Sequence, residues 1–87
     1  MNRRRSEFLD THKMKKNSKI ITKMQEYYTI KDLEENKNHL EVFNATYVSD
    51  EYLGTNEIAE ACFVSVSTVE RYIAKFNVLA EKLFAEN

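Results

Sequence analysis

Eighty-seven residues, 43% of them hydrophobic, with one glycine and no proline, provide for one small domain and exclude a β-rich fold, whose turns need those two residues. The formal charge of −1 conceals two unlike parts: residues 1–23 hold eight Lys and Arg against Glu7 and Asp10, and residues 24–87 hold five against twelve acids. Such a chain is a basic arm on an acidic body, with a core too small to enclose a substrate cleft.

Residues 1–17 are polar and basic, offering only Phe8, Leu9 and Met14 for burial, and are read as a flexible arm. From Ser18, the residues Ile20, Ile21, Met24, Tyr27 and Tyr28 recur at helical spacing, with Asn17 or Ser18 as the cap. Thr29 followed by Asp32 resembles a capping box, so a second helix is expected to begin near Ile30. Its apolar stripe is Ile30, Leu33, Leu40, Phe43 and Tyr47. Residues 34–39 are all polar, and Asn36 and Asn38 favour a break there, with helix resuming over about 38–47.

Residues 48–54 read as a loop, with room for a single turn from Ser49 to Leu53. Thr55 is the expected N-cap of a short helix, and Glu57 suits its first turn. Ser65 caps a last helix that runs to about Ala85, with Val69, Tyr72 or Ile73, Phe76, Leu79, Ala80 and Leu83 facing inward. The fold class is all-α: a small helical bundle containing a helix-turn-helix at 55–76, within a helical domain 18–87, preceded by a basic N-terminal arm 1–17.

In that unit, small Ala59 sits where two steeply crossing helices approach, and Ile58, Cys62, Val64, Val69 and Tyr72 form a shared core. Phe63 holds the turn position that glycine usually takes in a left-handed conformation. Cys62 serves as a small hydrophobe, with no neighbouring base to make it a redox sensor. A lone cysteine without a staple fits a reducing cytoplasm, and no apolar run is long enough for a membrane span or a signal peptide.

The run Glu57-Ile58-Ala59-Glu60-Ala61-Cys62 and the following Val64-Ser65-Val66-Ser67-Thr68-Val69-Glu70-Arg71-Tyr72 resemble the helix-turn-helix of sigma-factor region four and its phage relatives. They are also similar to the N-terminal domain of sugar-isomerase-type (RpiR) repressors. The aromatic-bearing stretch from Leu40 to Tyr47 supports the first comparison, since region-four-like domains place such a helix there. The resemblance covers residues 40–83 and implies a transcription regulator of phage or mobile-element type, acting in the cytoplasm.

It further implies that Ser65, Val66, Ser67, Thr68, Glu70, Arg71, Ala74 and Lys75 face the major groove of double-stranded DNA. Arg71 suits a bidentate guanine contact, Glu70 a cytosine amine and Lys75 a phosphate. An acidic body is a liability on DNA, so Arg3, Arg4, Arg5, Lys15 and Lys16 of the arm are expected to meet phosphates. One unit of this size touches few bases, which calls for a homodimer through residues 18–47 or recruitment by RNA polymerase or another phage protein. The alternatives are a protein-docking module and a DNA-packaging adaptor like the small terminase.

Nothing in the sequence suggests catalysis, a cofactor or a metal. His12 and His39 stand alone and are expected at the surface. Tyr27, Tyr28, Phe43, Tyr47 and Tyr52 could stack on bases, but their helical spacing makes them core or a dimer face first.

Overall fold

The computed structural model describes residues 14–86. They form four helices: α1 (Ser18–Glu35), α2 (His39–Phe43) extended by a π-helical turn (Asn44–Val48), α3 (Thr55–Cys62) and α4 (Val66–Glu86), with no strand among the described residues. The protein is a small all-α bundle.

The side chain of Asn17 caps α1 by accepting from the Ile20 N–H at 3.1 Å. Just ahead of it, Met14 is fully buried and joins the core, so the chain is already docked before α1 begins. Helix α1 then continues without interruption to Glu35. The hydroxyl of Thr29 does not open a new helix; it donates back to the Gln25 carbonyl at 2.7 Å, inside the same helix. A left-handed Asn36 ends α1 (φ 55°), its N–H donating to the Asp32 carbonyl.

This continuity corrects the expected second stripe. Carried on α1, Ile30 is 59% exposed and Leu33 82% exposed, while Leu40, Phe43 and Tyr47 on the next element pack inward. A hundred degrees per residue places Ile20, Met24 and Tyr28 on one buried line, and Ile30 and Leu33 fall off it. Tyr27, expected on the buried face, lies at its border, half-exposed with its edge against Tyr28.

Helix α2 has only five residues before it widens into the π turn. Thr46 donates its hydroxyl to the Val42 carbonyl at 2.8 Å, and the Ser49 N–H reaches five residues back to the Asn44 carbonyl. Tyr47, four residues after Phe43 and on the same face, follows it into the core, where both rings meet Phe76 of α4. The loop to α3 then spans 49–54 as a series of bends.

Helix α4 presents Val69, Tyr72, Phe76 and Ala80 to the interior, so Tyr72 takes the buried position and Ile73 only borders it. Phe76 is the hub of the core, its ring within about 5 to 6 Å of Tyr28, Phe43 and Tyr47. No described helix is long and apolar enough to cross a membrane.

Candidate nucleic-acid interface

The segment from Gly54 to Lys75 is built from its own local chemistry. Gly54, not Thr55, is the N-cap of α3, and Thr55 is the first helical residue. Glu57 reaches back to accept from the Gly54 N–H at 2.7 Å, placing its negative charge over the free N–H groups of the first turn. Ile58, Ala59 and Cys62 form the buried face of α3.

Helix α3 stops at Phe63, whose φ of 56° and ψ of 44° are the left-handed conformation expected there. The Val64 N–H then closes the turn on the Ala59 carbonyl at 3.0 Å. This geometry turns the Phe63 ring outward until it is 91% exposed, and leaves Val64 packed against the core. Cys62 donates its S–H to the Glu41 carbonyl at 3.7 Å. Burial, and then the charge of Glu41, push its thiol up, so Cys62 remains a protonated core residue.

Ser65 opens α4. Its Oγ accepts from the Thr68 N–H at 3.1 Å, and its carbonyl accepts the Val69 N–H at 3.1 Å. The same hydroxyl lies 2.9 Å from Thr68 Oγ1 and 3.2 Å from Ser67 Oγ, and Arg71 donates to Thr68 Oγ1 at 3.3 Å. Four of the residues expected to read DNA therefore form one hydrogen-bonded network on the outside of the first two turns of α4.

Val66, Glu70, Ala74 and Lys75 are exposed beside this network. Ala74, at the middle of the strip, presents only a methyl group. Lys75 lies over the Tyr72 ring at 5.9 Å. Glu70 projects from the same strip with no ion-pair partner among the described residues.

The arm residues divide differently. Arg3, Arg4 and Arg5 lie outside the described residues, as does His12. Lys16 is exposed. Lys15 turns onto its own chain, donating to the carbonyl of Ser49 and to that of Glu51 at 3.4 Å, with its ammonium 4.9 Å from the centre of the Tyr52 ring. Lys15 thus anchors the 49–52 loop to the start of α1, and a phosphate would have to draw it from those partners.

The surface position expected for His39 is wrong. It is 1% exposed, with its ring stacked on Tyr28 at 5.1 Å and tilted against Tyr72 at 4.2 Å. Asp32 holds it there, accepting from the His39 N–H at 2.9 Å, from Nδ1 at 2.7 Å and from the Leu40 N–H at 2.8 Å. The residue read as the acid of a capping box on its own helix instead caps α2, seven and eight residues further on. Helical periodicity carries no trace of a contact made across a loop.

No group of three or more described His, Cys, Asp or Glu side chains could hold a metal ion. No family model, no curated protein and no solved structure matches this chain.

Proposed function

We propose that this protein is a sequence-specific, double-stranded-DNA-binding regulator of phage or mobile-element type, with residues 66–76 of α4 entering the major groove and the basic arm bearing on phosphates. The observation that carries the reading is the Ser65–Ser67–Thr68–Arg71 network. It aligns hydroxyl and guanidinium groups on the outer face of a helix whose opposite face is anchored by Val69, Tyr72 and Phe76. Polar side chains held in place on a rigid helix lose little freedom when they meet base edges, which favours readout. Lys75 one turn later suits a phosphate.

Selection of bound duplexes from a random pool tests the reading. A defined motif, lost on Arg71→Ala, is the expected result, and a palindromic motif would also report a homodimer. Failure to bind any duplex at low salt would sink it.

The protein-docking and packaging-adaptor alternatives draw on one observation of their own: Phe63 is almost wholly exposed in a conformation that disfavours it. An aromatic residue held there suits a protein surface better than a duplex. In that reading, Arg71→Ala leaves the complex with polymerase or another phage protein intact, and Phe63→Gly breaks it.

A further inference from the structure

A cavity of about 400 Å³ opens between the C-terminal half of α1 and the middle of α4. The rings of Tyr27 and Tyr28 and the side chains of Val78 and Leu79 form its apolar walls. Lys31, Lys75 and Lys82 also line it. The carboxylate there, Glu35, is already paired with Lys31 at 3.1 Å. Lys75 and Lys82 have no carboxylate partner among the described residues, so this wall carries uncompensated positive charge.

His39 completes the lining. Its Nδ1 lies 2.7 Å from Asp32 Oδ1, and a carboxylate only accepts, so the proton sits on Nδ1. In the neutral ring this leaves Nε2 with a lone pair, and Nε2 is buried without a hydrogen-bond partner. A buried acceptor left unsatisfied is costly and uncommon in a native core. The orphan belongs to a side chain that lines a cavity with flat rings, apolar walls and two ammonium groups that make no salt bridge among the described residues.

We infer that this cavity binds a small organic anion built on a flat ring that bears an N–H donor, of the nucleoside monophosphate kind. The ring lies against the half-exposed Tyr27, its anionic group meets Lys75 and Lys82, and its N–H donates to His39 Nε2 once the ligand has parted the side chains that bury that atom. The volume lies within the usual range for small-molecule sites, as does the mixture of apolar walls with a few polar groups. The site does not depend on α4 reading DNA, although Lys75 belongs to both surfaces.

The test follows the Nε2 resonance of His39 in the full chain labelled with ¹⁵N-histidine, assigned against a His12→Ala variant. Adenosine 5′-monophosphate, adenosine and inorganic phosphate are titrated in turn. The nucleotide is expected to move the His39 signal saturably, with adenosine or phosphate alone binding about tenfold more weakly or worse. Replacing both exposed lysines, Lys75→Ala with Lys82→Ala, is expected to weaken the nucleotide about tenfold, and Lys16→Ala to leave it unchanged. No movement of His39, an equal movement with phosphate alone, or a movement that survives the double replacement would each overturn the proposal.

Discussion

Asp32 and His39 clasp the junction of α1 and α2: one carboxylate oxygen of Asp32 takes both the backbone N–H and the ring Nδ1 of His39, at 2.9 and 2.7 Å. The other oxygen takes the Leu40 N–H at 2.8 Å. A single anion thereby satisfies two N–H groups at the start of α2 and fixes the plane of the ring wedged between Tyr28 and Tyr72. Removing it leaves those donors buried or half-buried with nothing to meet. Asp32→Ala is expected to cost about 2–4 kcal/mol in urea unfolding, and Asp32→Asn about 1–2 kcal/mol, because the amide keeps one accepting oxygen. A loss below about 0.5 kcal/mol for the alanine variant would show that the clasp is not structural.

Phe63 offers the opposite sign. Its left-handed backbone is strained for any residue with a Cβ, and its ring is 91% exposed, so truncation loses almost no packing. Phe63→Gly is expected to stabilise the fold by about 0.5–1 kcal/mol, the relief of strain being partly offset by glycine's freedom in the unfolded chain. Phe63→Val, branched at Cβ, should be less stable than the parent. Thermal unfolding of the three proteins checks the order.

Alkaline pH should unfold the protein from its core. Burial pushes Tyr47 up to about 12. Burial first, and then the charges of Tyr27, Asp32 and Glu35, do the same to Tyr28, also to about 12. In the unfolded chain these phenols lose their protons near 10, so between about 10 and 12 the unfolded state binds fewer protons and stability falls as pH rises. The contribution is complete below pH 10 and lost through 12. Parallel titrations by tyrosinate absorbance and helical circular dichroism should show Tyr28 and Tyr47 ionising together with loss of helix. Tyrosinate forming fully while the helices persist would contradict their burial.

Under the proposed function, the arm and α4 are expected to contribute separably to duplex binding. Arg71→Ala is expected to cost about 1–3 kcal/mol on the preferred sequence and to relax its specificity. Replacing Arg3, Arg4 and Arg5 together with alanine should weaken all duplexes alike and flatten the salt dependence by about one unit for each phosphate no longer neutralised. Deleting residues 1–16 is a poor substitute, because it would also remove the fully buried Met14 and the Lys15 anchor on the 49–51 loop. Fluorescence anisotropy against salt concentration distinguishes the two classes of effect.

Local rules made much of the α3–α4 segment legible in the sequence. Ser65 caps α4 through its own side chain, Phe63 takes the left-handed turn, Asn36 ends α1, and Ile58, Cys62, Val69 and Tyr72 pack inward. Each of these depends on a hydrogen bond a few residues long or on a 3.6-residue period, and both can be read along one chain. The exposure of Ser67, Arg71 and Lys75 follows from the same period.

Only the tertiary structure decided the rest. Whether Thr29 starts a helix or continues one depends on what Asp32 binds, and Asp32 binds across a loop. Which stripe of α1 is covered depends on where α2 and α4 come to lie; they cover Ile20, Met24 and Tyr28 and leave Ile30 and Leu33 in solvent. His39 is drawn inside because a carboxylate and two aromatic rings, supplied by α1 and α4, surround it at once. A polar residue enters a core only when its partners are assembled first, and no single stretch of sequence contains them.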